Sequence, residues 1–361
     1  MDQALALAAR GVALASPNPL VGAVLVRDGR VIGEGFHTYE GVRHAEVIAL
    51  EATGEAARGA TLYINLEPCC HTGRTGPCTQ TLINAGIARV VAAMPDPNPR
   101  VASRGFRELK RARVSVHVGV RQAQAQKLNE DFAKWIKTAL PFVTLKAAVT
   151  LDGRIAVQEG KPTPITSAES LARGMLLRHR ADAILTGIGT LLADNPRMTD
   201  RTGEPRRRGL LRVVVDSHLG IPLRSKLVQS ADNDVAVFTV QRETAPKFRA
   251  LSRAGVEVIR VRPARGRVDL NSVLRELGRR QIMSLQVEGG AELNGALLEQ
   301  RLVDKMVLFY SPRIMGTCGV PVARMSAKWF ARSSQLSNFE LQKYGADFAV
   351  EGYLRDVYGT R

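Results

Sequence analysis

The sequence predicts an α/β protein of two domains, and three observations support this prediction. The chain has 361 residues, which is more than one ordinary hydrophobic core accommodates. Strand-like and helix-like patterns alternate along both halves of the sequence, as they do in α/β proteins. Pro141 interrupts the pattern soon after a helical stretch, and a new strand begins at Phe142. We therefore expect one domain over residues 1–140 and a second over residues 141–361.

The first half contains the elements of a sheet covered by helices. Residues 20–27 and 30–36 alternate like strands across Asp28-Gly29, a pair that favours a tight hairpin turn. Three further strands are predicted over residues 60–66, 89–94 and 114–118. Apolar spacing near 3.6 residues predicts helices over residues 1–14, 44–52, 79–85, 104–110 and 123–138.

The second half alternates in the same way, which favours a mostly parallel sheet. Strands are predicted over residues 142–149, 183–186, 212–216, 235–240, 256–260, 284–287 and 305–310. Helices are predicted between them, for example over residues 167–180 and 273–279. No GxGxxG sequence follows the first of these strands, so the usual dinucleotide fingerprint is absent. Residues 322–361 indicate no chemistry of their own.

Composition places the chain among globular proteins of a reducing compartment. Its hydrophobic content of 45% and charged content of 24% are ordinary for such proteins. We expect no membrane segment, because no apolar run reaches the ~18 residues that span a bilayer. The N-terminal residues lack the basic region of a signal peptide, so we expect a cytoplasmic protein. Three of the four cysteines (Cys69, Cys70, Cys78 and Cys318) lie close together, which favours metal binding over disulfides.

The formal net charge of +17 allows three interpretations. It favours a solvated basic surface first, sites for small anionic substrates second, and a nucleic-acid surface last. Much of the excess is arginine scattered over the second half, around residues 206–208 and 260–280. Aromatic residues make up only 5% of the chain and do not alternate with the basic ones, so a base-stacking platform is poorly supported. We expect no nucleic-acid partner.

One short set of residues carries most of the chemical information. His44-Ala45-Glu46 is followed by Pro68-Cys69 and Pro77-Cys78, a pattern typical of zinc-dependent hydrolytic deaminases. One histidine and two thiolates hold Zn²⁺ while a water occupies the fourth position. The metal lowers the pKa of that water to about 7, and Glu46 is placed to move protons from it to a departing amine. We therefore predict His44, Cys69 and Cys78 as metal ligands and Glu46 as the catalytic acid and base.

Two residues next to Cys69 are also of types that can bind a metal. Cys70 adjoins Cys69, and because adjacent residues rarely reach one metal together, Cys70 is interpreted as a bystander. His71 is interpreted as a substrate-side residue, because a fourth protein ligand would close the catalytic position. Alone, His-x-Glu is usually a helix-surface pair, and two Pro-Cys pairs could be free thiols. It is their combination in a strand–loop–helix context that indicates a deaminase.

Longer stretches resemble one particular family, the bifunctional deaminase–reductases of riboflavin biosynthesis. In the first half the similarity covers residues 17–22, 44–46, 66–69, 71, 73–78, 96–99 and 101–105. In the second half it covers residues 145–146, 151–154, 165–167, 189–190, 193–196, 215–217 and 287–290. Eight residues separate Cys69 from Cys78, whereas cytidine and tRNA-adenosine deaminases usually have only two between their cysteines. The similarity extends over nearly the whole chain.

The resemblance implies a fold, two activities and two cofactors. The first domain would be cytidine-deaminase-like (α/β/α) and the second dihydrofolate-reductase-like (α/β). The substrate would be a small phosphorylated diaminopyrimidinone with a ribosylamino group. The first domain, with Zn²⁺, would hydrolyse its 2-amino group, and the second, with NADPH, would reduce the ribosyl to a ribityl chain. The family's second domain commonly dimerises, so we expect a homodimer or higher homo-oligomer.

The resemblance also assigns binding residues. Substrate contacts in the first domain map to Asn18, His71 and Arg74. Substrate contacts in the second domain map to Pro162, Arg178, Met198, Arg201 and Glu288. Cofactor contacts map to Ala148, Pro164, Thr190, Asp194, Ser217, Gly290, Ala291, Glu292, Leu293, Asn294, Gly295 and Ala296.

Two positions depart from the family pattern in a way that affects the expected activity. Pro162 replaces a common serine and Pro164 replaces a common tryptophan just before Ile165-Thr166-Ser167. A proline donates no backbone hydrogen bond, so these changes reshape a wall of the expected cofactor site. Three hypotheses therefore stand: a bifunctional enzyme, which is favoured; a deaminase whose second half is a scaffold; and a nucleic-acid deaminase.

Overall fold

The computed structural model describes residues 1–71, 76–326 and 335–359. Its internal contacts divide the chain into two compact units. Unit 1 comprises Met1–Ala139 together with Pro205–Arg208, and unit 2 comprises Leu140–Glu204 and Gly209–Arg361. Each unit has its own sheet and its own hydrophobic core. Among the described residues, no helix is both long and apolar enough to cross a membrane.

Unit 1 contains a five-stranded sheet with the strand order β2-β1-β3-β4-β5. Strand β1 pairs antiparallel with β2 and β3, whereas β3, β4 and β5 are parallel. Asp28 and Gly29 both have positive φ angles, 51° and 73°, as a two-residue type I′ hairpin turn requires. The strands are β1 (Gly22–Arg27), β2 (Arg30–Phe36), β3 (Thr61–Ile64), β4 (Arg89–Ala92) and β5 (Ser115–Val118).

Helix α2 (Ala45–Glu51) packs against strand β2, and two glycines of that strand allow the close approach. A Cβ on Gly33 would overlap the carbonyl oxygen of Ala49, and a Cβ on Gly35 would overlap that of Ala45. The absence of these side chains lets the helix backbone rest on β2. The helices of unit 1 are α1 (Asp2–Ala9), α2 (Ala45–Glu51), α3 (Cys78–Asn84), α4 (Arg104–Arg111), α5 (Gln122–Leu128) and α6 (Glu130–Thr138), with a 3₁₀ turn at Gly54–Ala57.

Two predicted helices differ from the structure. The helix expected over residues 1–14 ends at Ala9, and Ala13 adopts a positive φ of 60°, which a continuous helix does not allow. The helix expected over residues 123–138 is broken at Asn129 into α5 and α6. Asn129 is buried, and its side-chain amide accepts from Leu20 N at 2.8 Å and donates to Leu20 O at 3.0 Å. A tertiary contact with the start of the chain therefore overrides the local helical pattern.

Unit 2 contains a nine-stranded sheet with the order β11-β10-β9-β8-β14-β6-β15-β18-β17. All pairs from β11 to β15 are parallel, and β18 and β17 are antiparallel at one edge, which confirms the mostly parallel sheet. The strands are β6 (Phe142–Thr150), β8 (Ala183–Gly187), β9 (Leu211–Val215), β10 (Val235–Thr239), β11 (Glu257–Arg260), β14 (Ser284–Val287), β15 (Lys305–Ser311), β17 (Ser337–Tyr344) and β18 (Asp347–Tyr353).

Short elements complete unit 2. Strand β7 (Arg154–Ala156) pairs with β16 (Val320–Pro321), and β12 (Pro263–Ala264) pairs with β13 (Arg267–Val268). The helices are α7 (Ala168–Arg180), α8 (Ile188–Asp194), α9 (Lys226–Gln229), α10 (Pro246–Arg253), α11 (Leu270–Arg279) and α12 (Ala291–Glu299). The β17–β18 hairpin falls in residues 322–361, where the sequence indicated no strand. Nearly every residue of β17 is exposed, and its apolar alternation is limited to Phe339 and Leu341, which is too short to predict a strand.

Candidate functional site

Three potential metal ligands converge in unit 1. His44 is the N-cap residue of α2, Cys69 lies in the loop after β3, and Cys78 is the first residue of α3. His44 Nδ1 lies 3.1 Å from Cys78 Sγ and 3.5 Å from Cys69 Sγ, and all three ligand atoms lie within 4.8 Å of one another. Tetrahedral zinc with one nitrogen and two sulfur ligands places such atoms roughly 3.5 Å apart. The donor set and its spacing therefore fit zinc.

The two cysteines influence each other electrostatically. The contact of Cys69 with the Cys78 side chain, reinforced by His44 and by the Cys78 backbone N–H at 3.4 Å, lowers the pKa of the Cys69 thiol. Cys69 is thus prepared to be a thiolate, the form that binds metal. Cys70 next to it has its pKa raised, mainly by burial, and it does not belong to the cluster of candidate ligands among the described residues.

Glu46 lies beside the cluster without belonging to it. It occupies the first turn of α2 and is only 3% exposed. Burial, together with the charge of Cys69, raises the pKa of the Glu46 carboxyl to about 7. A carboxyl with a pKa near neutrality can both accept and release a proton at ordinary pH.

Glu67 holds the segment that leads to Cys69, a role that the sequence analysis missed. Its buried carboxylate accepts four backbone N–H groups: those of Asp96 (3.0 Å), Ser103 (2.9 Å), Gly105 (2.9 Å) and Phe106 (3.3 Å). A Cβ on Gly105 would overlap the carbonyl oxygen of Pro68, so the two segments touch through their backbones. The only sequence signal was Glu67 in the matched stretch 66–69.

Asn18 and the previously unnoticed His37 form one wall near the cluster. Asn18 Nδ2 donates to His37 Nε2 at 2.9 Å, while His37 Nδ1 donates to Arg43 O at 3.0 Å. The His37 and His44 rings meet edge to face, with centroids 5.3 Å apart. Asn18 is therefore linked through one imidazole to His44, the candidate metal ligand. His71 is exposed, and Arg74 lies outside the described residues.

Unit 1 also includes Pro205–Arg208, although these residues fall in the expected second domain. The Arg207 guanidinium lies 3.6 Å from the centroid of the Tyr39 ring and donates to Ser16 O at 2.9 Å and to Glu40 at 3.2 Å. Arg208 donates to Ser16 Oγ at 3.0 Å. These contacts hold the loop that immediately precedes Asn18.

In unit 2 a cleft of about 1620 Å³ opens at the carboxyl ends of the parallel strands, where α/β folds bind ligands. Most of the predicted binding residues line it: Ala148, Arg178, Thr190, Asp194, Met198, Ser217, Glu288, Gly290, Ala291, Glu292, Leu293 and Ala296. Its volume exceeds the ~300–1,000 Å³ of a site for one drug-sized molecule, so it has room for a cofactor and a substrate.

Five predicted residues of unit 2 do not line this cleft. Asn294 is buried and donates to Gly289 O at 3.2 Å and to Val322 O at 2.8 Å. A Cβ on Gly295 would overlap Arg324 O, so Gly295 allows close packing. Arg201 points a guanidinium nitrogen at Met175 Sδ, 3.9 Å away. Pro162 and Pro164 lie between the lining residues Lys161, Thr163 and Ile165, and Pro164 O accepts from Arg313 at 3.1 Å.

A part-buried ion pair lines the cleft. Arg178 Nη2 lies 2.9 Å from Glu288 Oε2 and 3.0 Å from Oε1, and Arg178 Nη1 donates to Thr199 O at 2.8 Å. Burial raises the pKa of Glu288, but the charges of Lys146 and Arg178 outweigh it, so the pKa lies below its ordinary value. Glu288 is therefore held as a carboxylate between two cations.

The end of the cleft at Gly289-Gly290 fits a phosphorylated cofactor. These glycines join β14 to α12, and Gly290 is the N-cap of that helix. A Cβ on Gly290 would lie 3.1 Å from Thr190 Oγ1, so a side chain there would crowd the cleft. Free backbone N–H groups at a helix N-terminus, approached across a glycine, suit a pyrophosphate.

Fold and sites together define a class: a zinc deaminase unit of the cytidine-deaminase type, joined to a reductase unit with a parallel sheet. The RibD C-terminal domain family matches residues 141–349, and the cytidine and deoxycytidylate deaminase zinc-binding region matches residues 1–94. The riboflavin biosynthesis protein RibD of Aquifex aeolicus is 37% identical over 97% of this chain and 96% of its own length. That of Escherichia coli is 40% identical over 88% of each chain.

Solved structures agree over the full length. RibD of Acinetobacter baumannii superposes with a TM-score of 0.86 at 34% identity, covering 98% of this chain and 97% of its own. A diaminohydroxyphosphoribosylaminopyrimidine deaminase/5-amino-6-(5-phosphoribosylamino)uracil reductase of Thermotoga maritima gives 0.81 at 33% identity, with the same coverage. The chain belongs to the RibD family of bifunctional deaminase–reductases in riboflavin biosynthesis. It is an enzyme acting on a small molecule, with zinc in its deaminase domain and NADPH as its reductant.

Proposed function

We propose that unit 1 performs the deamination and unit 2 the reduction named for the Thermotoga maritima relative, with the residue roles set out below. The observation that carries the proposal is the convergence of His44, Cys69, Cys78 and Glu46 within one unit. The substrate would be the diaminopyrimidinone ribosylamino phosphate, which loses its 2-amino group before the sugar is reduced.

In unit 1, His44, Cys69 and Cys78 would hold the metal. When bound, zinc supplies an acidified water as the nucleophile. Glu46 would take a proton from that water and return it to the amino group, so that the carbon–nitrogen bond breaks, a ring carbonyl forms and ammonia leaves. Its burial and its pKa near 7 support this role.

Around that centre, Asn18, His71 and Arg74 would bind the substrate. Support for Asn18 comes from its contact with His37, which fixes the amide beside the ligand His44. His71 follows Cys69 by two residues and is exposed, which suits a residue at the mouth of a pocket. Arg74 is proposed from the resemblance alone, as a cation for the phosphate.

In unit 2, Arg178, Met198, Arg201 and Glu288 would bind the reductase substrate. NADPH supplies the hydride that converts the ribosyl group to a ribityl chain. Arg178 and Glu288 are paired within the cleft and would orient the sugar hydroxyls. Arg201 does not line the cleft, so its proposed contact requires its side chain to turn from Met175.

The cofactor would lie along Ala148, Thr190, Asp194 and Ser217, with its pyrophosphate over Gly290 and the start of α12. Those residues all line the cleft. Ala291, Glu292, Leu293 and Ala296 would complete this wall, whereas Asn294 and Gly295 would support it from behind. We retain Pro162 and Pro164 as the positions nearest the substrate and the cofactor in their segment, because their neighbours line the cleft.

The two prolines at positions 162 and 164 bear on how efficiently unit 2 carries out its reduction. One experiment follows both activities together. Purified, zinc-loaded protein is given the diaminopyrimidinone ribosylamino phosphate and NADPH, and ammonia release and NADPH oxidation are followed together. Oxidation that follows ammonia release supports the bifunctional enzyme. If ammonia is released without NADPH oxidation, the activity is restricted to unit 1. If neither ammonia release nor NADPH oxidation is observed, both proposed activities are contradicted.

We also propose an oligomeric state and a cellular location. A homodimer or higher homo-oligomer is suggested by Phe339 and Leu341, which are 61% and 62% exposed on the outermost strand of the large sheet. Light scattering on the purified protein, with Phe339→Glu for comparison, tests this.

A cytoplasmic location is suggested by the ligand thiols Cys69 and Cys78, which must stay reduced to bind zinc. Cell fractionation tests the location.

A further inference from the structure

A small hairpin borders the cleft of unit 2 and carries two arginines into its lining. Strands β12 and β13 are joined by Arg265 and Gly266, which have φ angles of 50° and 75°, the signature of a tight type I′ turn. Arg265 and Arg267 line the cleft, whereas Arg262 just before the hairpin does not. Neither arginine is among the binding residues that the family resemblance assigns.

The hairpin is attached to the end of strand β9. Val268 N donates to Ser217 Oγ at 3.1 Å, and Ser217 lies two residues beyond β9. Strand β8 separates β9 from β14, so the ends of β9 and β14 are two strand spacings apart, roughly 10 Å. A dinucleotide whose pyrophosphate lies at Gly290 therefore has its adenosine ribose near Ser217 and the hairpin.

Among the described residues, the acid that follows β9 is not available for the usual recognition of an unphosphorylated ribose. In α/β folds that prefer NADH, an acidic side chain near this strand end accepts a hydrogen bond from the 2′-hydroxyl. Asp216 directly follows β9 and lines the cleft, but it is only 2% exposed and its Oδ2 accepts from Ile221 N at 2.8 Å. The Asp216 carboxylate is therefore occupied by a hydrogen bond within the loop that follows β9.

The other acids of the hairpin region leave the arginines available. Asp269 accepts from Asn271 N, Ser272 N and Arg275, so it caps its own helix. Glu299 accepts from Ser326 N at 2.6 Å, and this hydrogen bond, together with the charge of Arg265, lowers the pKa of Glu299. The attraction between Arg265 and this exposed carboxylate is weak, because water screens it. Arg267 lies 3.9 Å from Glu292 with 76% of its side chain exposed, and such a solvated pair contributes little. A phosphate dianion offers these guanidiniums a shorter, bidentate and charge-assisted contact.

We propose that Arg265 and Arg267 bind the 2′-phosphate of NADPH and thereby make unit 2 prefer NADPH over NADH. This inference rests on the proposed placement of the cofactor in the cleft. Arg265, at the turn, would reach the phosphate from above the ribose, and Arg267 from the adjoining strand. Glu292 would release Arg267 when the phosphate arrives.

The test measures cofactor binding without turnover. Fluorescence titrations give the Kd of NADPH and of NADH for the full-length protein, and 2′,5′-ADP and 5′-AMP, which differ only by the 2′-phosphate, serve as competitors. In the Arg265→Gln/Arg267→Gln variant we expect NADPH and 2′,5′-ADP to bind roughly tenfold to a hundredfold more weakly. NADH and 5′-AMP should change less than about twofold.

Matched variants distinguish recognition from general damage. Arg262→Gln removes an exposed charge from the same segment outside the cleft and should leave both Kd values unchanged. Arg267→Lys keeps the charge without the bidentate geometry and should retain part of the preference. If the double variant bound NADPH and NADH more weakly by the same factor, or kept the wild-type preference for NADPH, the inference would be overturned. The proposed reductase function of unit 2 would not be affected by either result. If the wild-type protein bound neither nucleotide, the proposed function of unit 2 would fail with it.

Discussion

The two candidate sites differ in how much chain is needed to build them. The metal cluster of unit 1 draws its ligands from His44 to Cys78, so its residues appear as one short pattern. The cleft of unit 2 is lined from Lys146 to Ser326 by the ends of several strands. A site encoded in one short motif can be deduced from chemistry, whereas a dispersed site becomes visible through its fold or its relatives.

The largest expected effect comes from removing one ligand of the compact site. Cys78→Ala leaves His44 and Cys69, and two ligands do not retain zinc under competition. We expect zinc content and ammonia release to fall to background, while NADPH binding stays unchanged. Metal analysis and an ammonia assay measure this. Cys70→Ala, a neighbouring thiol outside the cluster, is the matched control and should keep full zinc; loss of zinc there would place Cys70 among the ligands.

Glu46→Gln should separate chemistry from metal binding. The variant keeps the size of the side chain but can no longer take up a proton, so ammonia release should fall roughly 10²–10⁴-fold. Zinc content should stay at one ion per chain, because Glu46 is not a proposed ligand. Loss of zinc in this variant would instead assign Glu46 to coordination.

In the dispersed site, two arginines with the same proposed role should differ. Arg178 is paired with Glu288 in the cleft, whereas Arg201 lies near Met175 outside its lining. We expect Arg178→Gln to lower the rate of reduction roughly 10–100-fold, because Glu288 in the cleft then loses one of its two cations. Arg201→Ala should weaken reduction less. Neither change should alter ammonia release; equal loss of both activities would contradict separate sites.

The sequence predicted the elements well where local chemistry decides them. Asp28-Gly29 gave the right hairpin because both residues tolerate positive φ. The predicted fold class is confirmed, but the single helix over residues 123–138 is wrong, because Asn129 bonds Leu20 more than a hundred residues away. No local sequence pattern encodes such a contact. The same holds for the four backbone N–H groups that donate hydrogen bonds to the Glu67 carboxylate. The binding roles of individual residues remain predictions.

Arg207 belongs to a distant chain segment that packs into the compact unit. Arg207→Gln removes the contact with Tyr39 and loosens the loop before Asn18. We expect KM for deamination to rise roughly two- to fivefold with kcat and zinc content little changed. Arg206→Gln is the control, because Arg206 Nε bonds Arg208 O within its own segment. An unchanged KM for Arg207→Gln would show that the compact site is independent of this segment.

The smallest effect should come from an ion-pair cluster that belongs to neither site. Arg280 Nη1 and Nη2 contact Glu257 at 2.6 and 2.7 Å, and Arg280 Nε contacts Glu276 at 2.8 Å. Hydrogen bonds from Arg279 and Arg280 lower the pKa of Glu276 to about 2, and Arg280 lowers the pKa of Glu257.

Arg280→Gln should therefore cost about 1 kcal/mol or less at pH 7, because the pairs are partly solvated. Both folded-state pKa values lie below those of the unfolded chain, so this stabilisation is present above about pH 4.5 and disappears as the pH falls toward 2. Thermal unfolding at several pH values should show a constant Tm difference from pH 7 to about pH 5, which narrows on further acidification. A Tm difference that widened in acid would reverse the expected pH dependence. The ion pairs of Arg280 could then not be the source of the stabilisation.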